Sequence, residues 1–217
     1  MRVVTIIPAY NEEATVAKVV SAAAGCALVS EVIVVCDGSV DKTSLIAREA
    51  GATVLELKHN RGKGGALKAG LDYAVADVIL FLDADLIGLT AKHVESLLLP
   101  VVEGKTGMTV GLFGKGRIVT DLAQKITPFL SGQRAVRWSL LQRMPDFSHT
   151  GWGVEVALNK YIRDHEISVV EVPLLGVTQI TKEEKMGLIK GLSARMRMYW
   201  QIIKFIGKIW GDKKHVR

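Results

Sequence analysis

Four short apolar runs, residues 3–7, 31–36, 52–57 and 78–82, are rich in Val, Ile and Leu and show little polar alternation. Runs of that kind suit strands covered on both faces. Helical stretches lie between and after them, at 14–24, 39–50 and 63–75. Asn11 stands where the first helix would need its N-cap, Asp41 near the start of the second, and Gly51 at its C-terminal stop. Alternating strands and helices predict an α/β fold: a mostly parallel sheet with right-handed crossovers, flanked by helices.

Beyond residue 86 the rhythm loosens. A helix is predicted over 90–99, a strand over 108–113 and a late strand over 167–172, ahead of Pro173. Pro128 and glycines at 114, 116, 132, 151 and 153 punctuate the middle. The division expected is one domain over 1–180, with halves 1–100 and 101–180, and a helical tail over 181–217. In that tail Ile202, Ile203, Ile206, Ile209 and Trp210 gather on one side of a helix, and Lys204 and Lys208 share another. A basic amphipathic helix with tryptophans suits the plane of a membrane surface. The same stripe also suits packing on protein.

The 217 residues are 49% apolar, enough for a sizeable core, and carry a formal charge of +6. That charge favours an anionic partner such as a nucleotide, a phosphate or a lipid headgroup. Cys26 and Cys36 sit in apolar surroundings and make neither a disulfide framework nor a zinc site. No apolar run approaches the roughly 18 residues of a membrane span. Met1-Arg2 leads straight into a strand-like run, so no signal peptide is expected and the cytoplasm is the default compartment.

The polar clusters fall at the strand ends. Pro8-Ala9-Tyr10-Asn11-Glu12 follows the first strand, Asp37-Gly38-Ser39 the second, Asn60-Arg61-Gly62-Lys63-Gly64-Gly65 the third and Asp83-Ala84-Asp85 the fourth. Ligands of parallel α/β sheets bind beyond the carboxyl ends of the strands, so four clusters there point to one shared site. Two carboxylates two residues apart suit a hard divalent cation, Mg²⁺ or Mn²⁺, which fills its other positions with water and substrate phosphate. The glycines around Lys63 match neither a P-loop nor G-x-G-x-x-G, yet cations at a helix start still favour an anion.

Together these segments resemble glycosyltransferase family 2, with its GT-A fold. The resemblance is carried by residues 7–13, by Asp37-Gly38-Ser39 with Asp41 and Thr43, by residues 60–64 with Ala66 and Gly70, and by Asp83-Ala84-Asp85-Leu86. Further on, residues 131–137 and 151–155 resemble a subset that includes the polyprenyl- and dolichyl-phosphate sugar transferases. A related layout occurs in the glucosyl-3-phosphoglycerate synthases.

The resemblance implies roles. Pro8, Ala9, Tyr10, Glu12, Asp37, Lys63, Asp83 and Ala84 would line a nucleotide-sugar donor, with a UDP-sugar favoured over GDP-mannose. Asp83 and Asp85 would hold the metal. Arg134, Arg137 and Trp152 would face a phosphate-bearing acceptor, and Asp85, Arg134 and Glu155 would serve the chemistry. Guanidinium forks suit phosphate oxygens, and a phosphate nucleophile needs no deprotonation, so polyprenyl phosphate with inversion is the expectation. A soluble acceptor such as 3-phosphoglycerate is the alternative. Candidate bases for a hydroxyl acceptor are Asp146, His149 and Glu155. Two departures stand out: Cys36 replaces a usual acid, and Ile87 occupies a position that ligates metal in some lipid-phosphate members. A nucleotidylyltransferase, which places a glycine-rich Arg-Lys loop after its first strand, and a non-enzymatic basic adaptor for membranes or nucleic acid are the readings from other classes. Nucleic acid is not an expected partner of the enzyme.

Overall fold

The computed structural model describes residues 1–113, 131–144 and 154–179. The amphipathic tail, Trp152, Asp146 and His149 lie outside the described residues. Among the described residues, seven strands form one sheet in the order β3-β2-β1-β4-β7-β6-β8. These are β1 (Val3–Ala9), β2 (Glu31–Cys36), β3 (Thr53–Glu56), β4 (Val78–Phe81), β6 (Met108–Phe113), β7 (Arg134–Arg137) and β8 (Val169–Leu174). All neighbours pair in parallel except β7, which runs antiparallel to both β4 and β6. A two-residue strand after the acidic pair, β5 (Leu86–Ile87), pairs with β9 (Thr178–Gln179) as a small separate ribbon.

Helices cover both faces. Val16, Val19 and Val20 of α1 (Val16–Ala24), Ala47 of α2 (Thr43–Glu49) and Val94, Leu97 and Leu98 of α4 (Ala91–Val102) share one core with Ile7, Val34 and Leu80. On the other face, Ala66 and Leu67 of α3 (Gly62–Tyr73), Leu141 of α5 (Trp138–Leu141) and Leu158 of α6 (Val154–Asp164) pack with Ile6, Val35 and Phe81. Covering on both faces explains why the central strands are apolar without interruption. At Gly70 a Cβ would meet Ile6 Cγ2 at 2.7 Å, so glycine lets α3 lie close on the sheet.

Strand order sets the site. The chain winds outward from β1 to β2 and β3 on one side and from β4 onward on the other. The order therefore reverses between β1 and β4, and the crevice at such a switch point is where α/β sheets take ligands. Pro8 helps open it. Ala9 O turns to β2, accepting from Asp37 N at 2.8 Å, so the imide nitrogen of Pro8 turns to β4. There pairing has ended at Ile6–Phe81, so a residue with no N–H costs the sheet nothing.

Two sequence expectations shift. Helix α1 begins at Val16, and Asn11 does not cap it. Asn11 takes a left-handed conformation (φ 55°) and its Oδ1 accepts from Val40 N at 3.0 Å. Helix α2 begins at Thr43 because residues 39–42 are used in the same loop-to-loop contact. By contrast, α4 is capped by Thr90 through a box closed by His93, and it runs through Pro100 to Val102.

Candidate active site

The loops after β1 and β2 are laced together. Asn11 N donates to Ser39 Oγ (3.1 Å), Glu12 N to Thr43 Oγ1 (2.8 Å) and Glu13 N to Asp41 Oδ2 (3.2 Å). Lys42 N returns a bond to Glu13 Oε2 at 3.0 Å. Side chains from each loop thus hold the other's backbone, just after Pro8, Ala9 and Tyr10 at the end of β1. Tyr10 is 48% exposed, whereas Ala9 is buried. Asp41 is pushed up by burial, but hydrogen bonds from the Thr43 hydroxyl and the Thr43 and Glu13 amides outweigh this and hold its pKa below the usual value.

Asp37 is 3% exposed and joins the second and third loops. Its Oδ1 accepts from Arg61 N at 2.7 Å. Gly38 follows with φ +70°, and a Cβ there would lie 2.8 Å from Asn60 N. Only glycine allows both the left-handed turn and the close pass of the two loops. Arg61 stands at the N-cap position of α3, so this contact fixes where Lys63 enters the crevice.

Lys63 meets Asp83. Its Nζ lies 2.6 Å from Asp83 Oδ1, with each side chain 18% exposed. Gln133 Nε2 and Gln179 Nε2 both donate to Asp83 Oδ2, each at 2.8 Å. Burial raises the carboxyl, but the Lys63 charge and the hydrogen bonds from Lys63, Gln133 and Gln179 outweigh it, so the pKa is lowered and the group stays ionised. Gly132 seals one side: a Cβ would stand 2.6 Å from Asp83 Oδ2 and 2.7 Å from Lys63 Nζ. Neither glutamine carries a motif signal in the sequence. Position 133 was visible only as a member of the 131–137 segment.

Arg134 is 1% exposed and stands behind this cluster. It pairs with Phe81 at the carboxyl end of β4. Its Nε donates to Ser131 O and its Nη1 to Asn159 Oδ1 on α6, both at 2.8 Å. Ser131 Oγ is 2.9 Å from Gln133 Oε1, the amide oxygen whose paired nitrogen holds Asp83. Arg134 thus shapes the loop that aims the acidic motif. Arg137 stands apart. It pairs with Val78 at the opposite end of β4, on the other face of the sheet, and its Nη2 donates to Val101 O at 3.2 Å. Strand alternation accounts for the separation, because residues three apart point to opposite faces. Glu155 falls in the first turn of α6.

The acidic pair suits a divalent cation. Asp83 and Asp85 offer hard oxygens, and the Lys63 ammonium on Asp83 Oδ1 already marks one oxygen as a cation position. Among the described residues no third His, Cys, Asp or Glu completes a group around them. Two carboxylates, with the remaining positions left to water and phosphate, fit Mg²⁺ or Mn²⁺ rather than a closed protein cage. Among the described residues no helix is long and apolar enough to cross a membrane.

Comparison with known proteins agrees with this layout. The model for "Glycosyl transferase family 2" matches residues 4–163. The chain is 30% identical over 190 residues to glucosyl-3-phosphoglycerate synthase of Mycobacterium tuberculosis, covering 70% of this chain and 58% of that one. It therefore spans less than two thirds of that relative's length. It is also 37% identical over 94 residues to 4,4'-diaponeurosporenoate glycosyltransferase of Staphylococcus haemolyticus, covering 41% of this chain and 25% of the other. A crystal structure of the Mycobacterium tuberculosis synthase with Mn²⁺ and UDP-glucose superposes with a TM-score of 0.77 at 26% identity, covering 95% of this chain and 78% of that one. Another, holding Mn²⁺, UDP-glucose and phosphoglyceric acid, gives 0.69 at 28% identity, covering 82% and 72%. The fold is the GT-A fold expected from the motifs, and the chain belongs to glycosyl transferase family 2.

Proposed function

We propose that the protein moves a glucosyl or related sugar from a UDP-sugar to a small phosphate-bearing acceptor of the phosphoglycerate kind. The observation that carries this reading is the Lys63–Asp83 pair beside Asp85 at the switch-point crevice. It is supported by the likeness to structures whose bound groups are Mn²⁺, UDP-glucose and phosphoglyceric acid. The sequence by itself favours polyprenyl phosphate, whereas these relatives favour the soluble acceptor.

Pro8, Ala9, Tyr10, Glu12 and Asp37 would line the base and ribose, and Lys63 would face the diphosphate. Asp85, with Asp83 and Ala84 in the same turn, would hold Mg²⁺ or Mn²⁺. The bound ion supplies neutralisation of the departing diphosphate. In transfer, an acceptor oxygen bonds to the anomeric carbon, the bond from that carbon to the β-phosphate oxygen breaks, and UDP leaves with the electron pair. In a phosphoglycerate the phosphate is the handle and the hydroxyl the nucleophile, so a proton must pass to a base. Glu155 at the start of α6, Asp146 and His149 remain the candidates. Arg134 acts through Ser131 and Gln133, and Trp152 would stand on the acceptor side.

A second reading concerns the tail. Residues 180–217 hold ten of the 28 Lys and Arg and three of the 22 Asp and Glu. That bias favours an anionic membrane surface as a peripheral partner, on the cytoplasmic side. UDP release should be measured with 3-phosphoglycerate and with polyprenyl phosphate in anionic vesicles. The soluble acceptor should stimulate release and yield a glycosylated phosphoglycerate. Stimulation by the lipid alone overturns the acceptor assignment.

A further inference from the structure

Asp83 accepts three hydrogen bonds of unequal character. On Oδ2 it takes two neutral amides, from Gln133, which is fully buried, and from Gln179. On Oδ1 it takes the Lys63 ammonium at 2.6 Å. The amides come from segments fixed by the sheet: Gln133 directly precedes β7, and Gln179 lies in β9, paired to Leu86 just beyond the acidic turn. Lys63 by contrast is a point charge on a flexible four-carbon stem. It reaches Asp83 from the first turn of α3. Of the three donors, the ammonium alone is charged. A Cβ at Gly132 would stand 2.7 Å from the Lys63 nitrogen, so the loop passes close over the Lys63–Asp83 pair on that side.

We propose that Lys63 is a tethered competitor for the divalent cation: its ammonium on Asp83 Oδ1 takes a position the metal would use, and it passes to the donor's diphosphate when nucleotide and metal bind together. The proposal rests on the metal and nucleotide-sugar reading above. Two cations crowded onto adjacent carboxylates repel each other, so metal alone meets an occupied, partly neutralised site. A diphosphate offers Lys63 another anion and relieves the competition. Gln133 and Gln179 keep Asp83 aimed while the ammonium leaves. Metal and nucleotide then strengthen each other's binding by the same factor, as linkage requires.

The test is binding of Mn²⁺ to the full chain, followed by electron paramagnetic resonance of the free ion, with and without UDP and with no acceptor. Wild type should bind Mn²⁺ weakly alone and about ten-fold or more tightly with UDP. Lys63→Met should bind Mn²⁺ alone roughly ten-fold more tightly than wild type, with the enhancement by UDP reduced. Lys63→Arg, which keeps the charge, should bind it as weakly as wild type. Where Met disturbs the melting profile, Lys63→Gln replaces it with a neutral donor. Unchanged or weaker Mn²⁺ binding in the folded neutral variant overturns the competitor, even if UDP binding in wild type depends on metal. A wild type that binds neither Mn²⁺ nor UDP overturns the site reading and the competitor with it.

Discussion

Gln179 donates its side-chain amide to Asp83 Oδ2 at 2.8 Å across 96 residues of chain. The short β5–β9 ribbon makes this contact, because it places the end of the described chain beside the turn that carries the acidic pair. Asp83 is therefore aimed by parts of the protein far from it in sequence.

The tightest part of that arrangement is Gly132. In Gly132→Ala the new Cβ would come within 2.6 Å of Asp83 Oδ2 and 2.7 Å of Lys63 Nζ, so the carboxylate or the loop must shift. Transfer activity should fall about 100-fold, the scale of a misplacement near 1 Å. Circular dichroism should stay that of wild type. An alanine variant of normal activity would show that the loop gives way freely.

Arg134 and Arg137 should part company. Arg137→Ala removes a bond to Val101 O at the end of α4, far from the acidic pair. It should cost about 1 kcal/mol of stability and leave the acceptor KM at the wild-type value. Arg134→Met removes the support of Ser131 O, and should lower kcat as Gln133 loses its setting. Steady-state kinetics and urea denaturation distinguish the two. An acceptor KM raised in Arg137→Ala returns that residue to the acceptor site.

The crevice and its four polar segments were legible because they depend on local pattern. Uniform apolar runs gave β1 to β4, and glycines and acids at their ends marked the loops. β7 was not legible: Arg134-Ala135-Val136-Arg137 has two apolar residues between two cations, and it forms a strand only because β4 and β6 flank it. Two-residue strands such as β5 and β9 have no periodicity to detect. Asn11 looked like a cap because its chemistry is that of a cap, yet it caps a turn in another loop. Gln133 and Gln179 gain their meaning from contacts across 50 and 96 residues.

Asp41 makes stability depend on pH. Its carboxyl has an ordinary value of 3.8 and a lower one in the fold, where Thr43 and Glu13 donors outweigh the effect of burial. The unfolded chain therefore takes up the proton first as pH falls. The contribution is complete well above 3.8 and is lost as pH drops through 3.8 to the folded value. Asp41→Asn should be less stable than wild type by about 1 kcal/mol at pH 7, and the gap should narrow at about pH 3. Urea denaturation at both pH values checks this. A gap that widens in acid contradicts it.

Thr5 lies in the middle of β1 with its side chain fully buried, and its Oγ1 has no hydrogen-bond partner among the described residues. A buried hydroxyl without a partner carries a desolvation cost. Thr5→Val keeps the shape and removes that cost. It should stabilise the protein by about 1 kcal/mol, raising Tm by roughly 2–4 °C. A lowered Tm in scanning calorimetry would show that the hydroxyl is satisfied.

Calorimetric titration of UDP with and without Mn²⁺ is the sharpest probe of a metal-dependent nucleotide site at the β1–β4 crevice. Wild type should bind UDP with Mn²⁺ and lose most of that affinity in excess EDTA. Asp85→Asn keeps the side chain's shape without its charge, and should retain the melting temperature of wild type while losing the metal-dependent binding. Equal UDP binding in EDTA, or unchanged Mn²⁺-dependent binding in Asp85→Asn, would rule out a metal site on the acidic pair.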